Sequence, residues 1–442
     1  MSVTVPRYTP PAARVLPSNV FYGWYVALAC AVLMLVGVGV GYYGLAVFLR
    51  PLKEEHGWST TAVSGATGLY FAISGVAAAL VGGKIDRSGP MRFMIVGMLG
   101  TSVSIGLVGY VQSLWQLYLL YSALAVSFGI SSAVAVNAIM TRWFVRKRAR
   151  AMSISATGVS VGGVILAPTG TKLIDIGGLE LASPIMGALV AVVAVPVILL
   201  VIAWDPRQMG LQPDGDPLDA MDTRSPLSRA AQLRQWERRE VVRSMAFWGI
   251  LIAFLLVLAA QTGYIIHQIS FLEDRFGSRN TAAFALSLTA FGSIVARLIV
   301  GVFADAVDKR LLTVALFLMQ GTAVLVIALV DNVPLTWVLT LVFGFTIGNV
   351  YMMQSLLVGE VFGMVSFGAV FGMVSLAGQI GSGGGPLLVG GLEDLSGGYA
   401  TPFVVTAIVT YAAALAILLV RPVGAVAEAR AEAANPVAAG GD

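Results

Sequence analysis

One arginine, Arg297, sits inside the apolar stretch "GSIVARLIVGVFADAVDKR" at 292–310, and no carboxylate precedes it until Asp274. An arginine inside a hydrocarbon span costs about 2.5–3.5 kcal/mol even on the gentler insertion scale, so it must face water, a partner or a ligand. A guanidinium presents a planar fork of N–H donors that matches a carboxylate, so a planar anion is its natural guest. The alternative is a structural arginine that snorkels to the nearby surface.

Other polar side chains share such stretches. His267 is the only histidine inside an apolar run, since His56 lies in a polar connection. It can donate a hydrogen bond to a ligand or take up a proton, or it can simply end a helix in water. Tyr42, Tyr43, Asn137, Tyr264, Tyr351 and Gln354 fall near run centres or on one side of them. Tyrosine offers a hydroxyl to a carboxylate and a ring to an apolar tail, although any of these can face a neighbouring helix instead. Trp24, Trp58, Trp143 and Trp248 lie near run ends and read as interface anchors.

Much other chemistry is missing from the sequence. The single cysteine, Cys30, excludes a disulfide or a cysteine-based zinc site within one chain. No G-x-x-x-x-G-K-[ST] or H-E-x-x-H occurs, and "GSGGGP" at 381–386 lies within an apolar run, where packing explains it better than a phosphate loop. The expectation is a non-enzyme without cofactor or metal.

The elements that must position these groups follow from composition. Of 442 residues, 57% are hydrophobic and only 11% charged, with mean hydropathy +0.86, against about 25% charged in soluble domains. Twelve apolar runs are long enough to span a bilayer: 22–49, 59–83, 91–111, 114–141, 149–174, 184–204, 244–270, 281–304, 311–330, 334–358, 366–391 and 400–420. Lipid cannot satisfy backbone groups, so these must be helices; the alternation of barrel strands is absent. The first run is too long for a cleaved signal.

Placing the N-terminus inside puts 21 Lys and Arg on the cytoplasmic side and five outside, with Arg297 the remaining one. This asymmetry predicts a multi-pass protein of the cell membrane, the bacterial inner membrane, with both termini cytoplasmic. The formal charge of +4 therefore reflects topology and not nucleic-acid binding. The predicted organisation is a cytoplasmic segment 1–21, a six-helix bundle 22–204, a cytoplasmic linker 205–243, a second six-helix bundle 244–420 and a tail 421–442. Within the linker, "LSRAAQLRQWERREVVRS" reads either as a surface helix or as a solvated linker.

The two halves repeat. "GGKIDRSGPMR" follows the second run and "GVFADAVDKR" follows the eighth, aligning Gly82 and Asp86 with Gly301 and Asp305. Two six-helix halves in parallel repeat are the architecture of the major facilitator superfamily, with a site between the halves. In the loops the glycines allow close helix contact. The aspartates can cap the next helix or pair with a base, so Gly82, Asp86, Arg87, Gly301, Asp305 and Arg310 are candidate gating residues. The run "GVSVGGVILAP" carries Gly158, Gly162, Gly163 and Pro168, a small-residue packing face with a kink.

Four pieces carry a narrower likeness: "FYGWYVAL" at 21–28, "RWFVRKRARAMSISATGVSVGG" at 142–163, "YIIHQISFLEDRFG" and "SIVARLIVGVFAD". Together they resemble the monocarboxylate porter and oxalate/formate antiporter group of that superfamily. The resemblance implies that Arg297 binds the substrate carboxylate. It also marks departures. The porters' aspartate four residues before this arginine is Ser293 here, and their first-span lysine aligns with Tyr43. The antiporters' lysine in the eleventh span is absent, Gln379 being the longest polar side chain there. One fixed cation favours a monoanion, and no intramembrane carboxylate is evident to carry a coupling proton.

The expectation is an all-α, twelve-helix secondary transporter of a small organic monocarboxylate, working by alternating access, coupled to protons by resemblance, and monomeric. Arg297, Tyr42, Tyr43, Asn137, Tyr264, His267, Ser293, Tyr351, Gln354 and Gln379 are its candidate substrate contacts. Its partners are the anion, a proton or counter-anion, and the lipid bilayer. A carboxylate/carboxylate antiporter remains the alternative, with a non-transporting carboxylate sensor or an exporter of drugs or cations behind it.

Overall fold

A computed structural model describes residues 8–131, 133–144, 147–215, 238–303, 307–362, 367–418 and 420, without the side chains at 79, 82–83, 86–87, 133, 148–149, 238–239, 298, 301–303 and 367–369. Among the described residues all regular structure is helical. Helix α1 is Tyr22–His56, α2 Thr60–Ser88 and α3 Met91–Leu107. Helix α4 is described over Leu114–Ser131 and Ala133–Trp143. One continuous run, Arg148–Val201, holds both α5 and α6, broken where Gly177 and Gly178 leave helical angles. The second half follows with α7 Met245–Phe276, α8 Arg279–Phe303, α9 Lys309–Leu329, α10 Val333–Phe362, α11 Phe367–Ser396 and α12 Ala400–Leu418.

Among the described residues twelve helices match the sequence expectation, but several bounds move. Helix α1 continues past 49 to His56, where Gly57 at φ 66° supplies the left-handed cap that a side chain with Cβ resists. The connection expected over 175–183 is helical on both sides of the glycine break, because only Gly177 and Gly178, the latter at φ 68°, leave helical angles. Of the linker, Arg238–Arg243 is a short helix. Residues 216–237 of the linker, the first seven residues and 421–442 lie outside the described residues.

Small residues bring the helices together in a repeated pattern. Gly162 of α5 lies against the Leu35 carbonyl of α1, and Gly381 of α11 lies against the Leu255 carbonyl of α7. Such contacts replace the hydrophobic drive that lipid cannot supply between helices. Trp143 departs from its expected role as an interface anchor. It is fully buried, and its Nε1 donates to the Ala203 carbonyl at 2.7 Å. The run end that carries it is packed against the chain after α6, so it meets protein and not headgroups.

Contacts between the halves decide where a site can lie. Helices α2 and α11 pack together from Thr60 and Asp394 as far as Gly75 and Gln379. Helices α5 and α8 do so from Asp175 and Asn280 as far as Ala156 and Arg297. Only the part of α1 over 44–56 packs extensively on α7, and no extensive contact joins α4 to α10 among the described residues. The bundle is therefore closed at the end away from the chain termini, here the distal end, and parts into a cleft toward the end that carries them.

Candidate functional site

At the head of that cleft lies Arg297. Helix α8 carries it across to α5 of the other half, where Nη1 donates to the Ala156 carbonyl at 3.2 Å and approaches Ser160 Oγ at 3.4 Å. One turn earlier, Ser293 is buried with its Oγ 3.5 Å from the same Ser160 hydroxyl. Room for the guanidinium comes from Gly348 on α10. A Cβ there would stand 2.5 Å from Arg297 Nε and 2.6 Å from Ser293 Oγ, closer than real Cβ atoms approach anything.

The tyrosines reach this point through an irregularity in α1. Residues Gly39–Tyr43 form a single π-helical turn, a feature that often marks functional positions because it turns side chains out of register. Tyr43 is seated on Gly163 of α5, where a Cβ would fall 2.6 Å from its Cζ. Tyr42 packs edge-on against Tyr43, with centroids 5.3 Å apart, and lies beside Thr262 of α7. Tyr43 and Tyr351 are the groups whose hydroxyls act on the Arg297 charge. Tyr351 is 43% exposed in the cleft. No carboxylate pairs with Arg297 among the described residues. A carbonyl and a hydroxyl occupy part of its donor set, and a guanidinium has five N–H donors. The arrangement can accept a small carboxylate on the cation, with phenols beside it for hydrogen bonds and ring contact.

The remaining expected contacts are placed elsewhere. His267 is fully buried away from Arg297, among Ser64, Pro386 and Tyr399 near the distal end. Tyr264 is buried between Phe343 of α10 and Phe403 of α12, within the second half. Gln354 is buried, its Nε2 donating to the Val374 carbonyl of α11 at 3.4 Å. Gln379 lies on Gly75 of α2, and Asn137 is exposed on α4. Of the gating residues, the side chains of Gly82, Asp86, Arg87 and Gly301, and Asp305 as a whole, lie outside the described residues. Arg310 donates to the Val420 carbonyl at 2.6 Å, tying α9 to the end of α12. The cap of α9 is Asp308, which accepts from the Arg310 and Leu311 amides.

The sequence reading passed over a group of charges at the distal end. Arg50 of α1 bonds Glu54 and Asp274 at 2.7 Å each and lies 3.6 Å from Glu273. Arg279 of α8 bonds Glu54 at 3.0 Å and Glu273 at 3.2 Å. Lys53 pairs with Glu393 of α11 at 3.3 Å. Asp394 accepts from the Thr60 and Thr61 amides at 3.1 and 2.7 Å, so α11 caps the first turn of α2. Burial alone would raise the Asp394 carboxyl, but these bonds, the Thr61 hydroxyl and the Lys53 charge hold it below its ordinary value. Every one of these links except Arg50–Glu54 and Arg279–Glu273 joins the two halves. The signal that could have found them is the concentration of acidic residues in the connections that also hold Arg50, Lys53, Arg275 and Arg279.

Fold and site together define a class: a helical membrane transporter with a cleft between two repeated halves. The family model described as Major Facilitator Superfamily matches residues 29–277 and again 264–440, and the chain belongs to that family. It is similar to Monocarboxylate transporter 13 of Bos taurus, with 26% identity over 405 residues, 89% of this chain and 88% of that one. It is also similar to the Oxalate:formate antiporter of Oxalobacter formigenes, with 25% identity over 236 residues, 53% of this chain and 52% of the other. Among solved structures, a bacterial homolog of the human lysosomal transporter Spinster, inward-facing and occupied, shares the fold. Its TM-score is 0.67 at 18% identity, covering 90% of this chain and 96% of that one.

Proposed function

We propose that this transporter moves a small organic monocarboxylate across the cell membrane by alternating access, with proton symport as its coupling. The observation that carries the reading is Arg297, a cation without a carboxylate partner among the described residues, set between the halves beside Tyr43 and Tyr351. A half-buried cation held, among the described residues, by a carbonyl and a serine gains most from a ligand that brings the missing charge. A single such cation suits one carboxylate better than two, and the phenols suit an apolar or aromatic body. The similarity to monocarboxylate transporters supports the same substrate class.

The excess of Lys and Arg on one side supports a cytoplasmic position for the end carrying the termini. The cleft then opens inward and the ion-paired distal end faces outward. Spans α1, α4, α7 and α10 line the path. Carboxylate exchange is the second reading, favoured by Ser293 standing where the porters have an aspartate and by the likeness to the oxalate:formate antiporter.

The test is uptake of labelled lactate, pyruvate, formate and benzoate into proteoliposomes, wild type beside Arg297→Gln. Each is run with an inward proton gradient, and separately with unlabelled anion inside and no gradient. Gradient-driven uptake of a monoanion that Arg297→Gln abolishes supports the symporter. Uptake only into preloaded vesicles makes the protein an exchanger. Undiminished uptake by Arg297→Gln would make the arginine structural and sink the reading.

A further inference from the structure

His267 and its neighbours carry a route that the substrate site does not use. The ring sits between the halves near the distal end. Its Nε2 lies 3.2 Å from the Pro386 carbonyl of α11 and 3.2 Å from Ser64 Oγ of α2. Its Nδ1 lies 3.3 Å from Tyr399 Oη at the start of α12. A backbone carbonyl can only accept, so Nε2 carries the hydrogen. In the neutral ring Nδ1 is then bare and accepts from the Tyr399 hydroxyl. One proton can be added, at Nδ1, and only through the phenol that covers it.

Tyr399 also reaches the outside. It lines a cavity at the distal end together with Leu49, Arg50, Lys53, Asp274 and Glu393. Asp274 and Lys53 on the cavity wall are 60% and 38% exposed, so water has access. One buried oxygen in this cavity has no hydrogen-bond partner among the described residues: Glu393 Oε2, whose other oxygen holds Lys53. Glu393 acts electrostatically on Tyr399, and Ser270 lies within hydrogen-bonding reach of it. The charged groups acting on the His267 ring itself are Lys53 from α1 and Asp394 from α11. Helix α2 meets the ring with Ser64 and α12 with Tyr399.

We infer that Tyr399 is the proton entrance of this transporter, relaying a proton from the distal cavity to Nδ1 of His267. The step balances. Tyr399 Oη receives a proton from a hydronium or from Glu393 in the cavity while its own proton passes to Nδ1. The phenol stays neutral and the imidazole becomes a cation that donates back to the phenol oxygen. A charge on this buried ring is costly in the closed state, where the site is dry and Lys53 is near, so it favours separation of α2 from α7 and α11. Proton uptake is thereby tied to opening of the distal end. The inference rests on the proton-symport reading.

Wild type, Tyr399→Phe and His267→Gln in proteoliposomes test it, with labelled pyruvate, lactate and benzoate as probes. Two quantities are read: accumulation driven by a proton gradient, and exchange against internal unlabelled anion at equal pH. The relay predicts that Tyr399→Phe lowers accumulation by about tenfold or more, that His267→Gln does the same, and that exchange stays at the wild-type rate in both. Accumulation by Tyr399→Phe at the wild-type level overturns the relay while leaving symport intact. Loss of both accumulation and exchange in Tyr399→Phe also overturns it, making the phenol a packing residue. If wild type exchanges but never accumulates under the gradient, the symport reading fails, and the relay with it.

Discussion

Two charged regions of this molecule are built on opposite plans. Around Arg297, at the head of the cleft, one cation meets serines, phenols and a carbonyl, with no acid among the described residues. At the distal end Arg50, Lys53 and Arg279 are matched by Glu54, Glu273, Asp274 and Glu393, almost all across the halves. A paired charge holds two surfaces together and has little left to give a ligand. An unpaired, desolvated charge does the reverse: it stabilises little by itself and gains most when a ligand completes it. The molecule thus separates the work of holding shut from the work of binding.

The sharpest way to break this comparison is at the unpaired end. Arg297→Gln should reduce carboxylate transport by about a hundredfold or more, since losing one partner of a desolvated charge pair costs about 2–5 kcal/mol; saturation kinetics in vesicles would measure it. Gly348→Ala comes next. Its Cβ would displace the guanidinium, and overpacking of this kind costs about 1–3 kcal/mol. KM should rise by about tenfold at normal protein yield, and an unchanged KM would show that Arg297 has slack.

At the paired end the effects should be smaller and of another kind. Asp274→Asn leaves Arg50 its bonds to Glu54 and contributes a loss of only about 0.2–1 kcal/mol, because these groups are partly solvated. It should shift the balance toward distal opening a few-fold without changing which anion is carried. Spin labels at Glu55→Cys and Ser278→Cys, with Cys30→Ser, would report the widening. The shift should shrink in high salt.

The smallest effect concerns pH. Asp394 has its pKa below the ordinary 3.8 while the distal end is closed, so its contribution is fully present above that value. It is lost as the outer pH falls through the lowered one. The label distance should therefore be flat from neutral pH to about 4 and widen below it. Asp394→Asn should give the wider distance throughout.

The sequence carried the unpaired region better than the paired one. A lone arginine in an apolar run is costly enough to announce itself, and Tyr42, Tyr43 and Tyr351 were in view beside it. The twelve helices were equally plain, because a hydrocarbon core demands long apolar runs. The distal pairs were hidden by distance along the chain: Arg50 and Asp274 are 224 positions apart, and each alone looks like an ordinary connection charge. Gly348 is one glycine among 50, and nothing near it in sequence tells of Arg297. The π-turn at Gly39–Tyr43 has no residue signature, since it is a change of hydrogen-bond register. The apolar run around His267 implies burial but does not say against what. Tyr399, its partner, falls in the connection before the last run, where a tyrosine carries no signal of its own.

Asp394 borrows a role usually filled within one helix. The first amides of α2 at Thr60 and Thr61 are satisfied by a carboxylate from the other half, while the Ser59 side chain accepts from the Ala62 amide. When the halves part, those two amides lose their acceptor and face water. Deuterium should enter them only during the moments when the outer face is open. Two backbone positions thereby record how often this protein looks outward, and a substrate that holds it inward would slow their labelling without touching them.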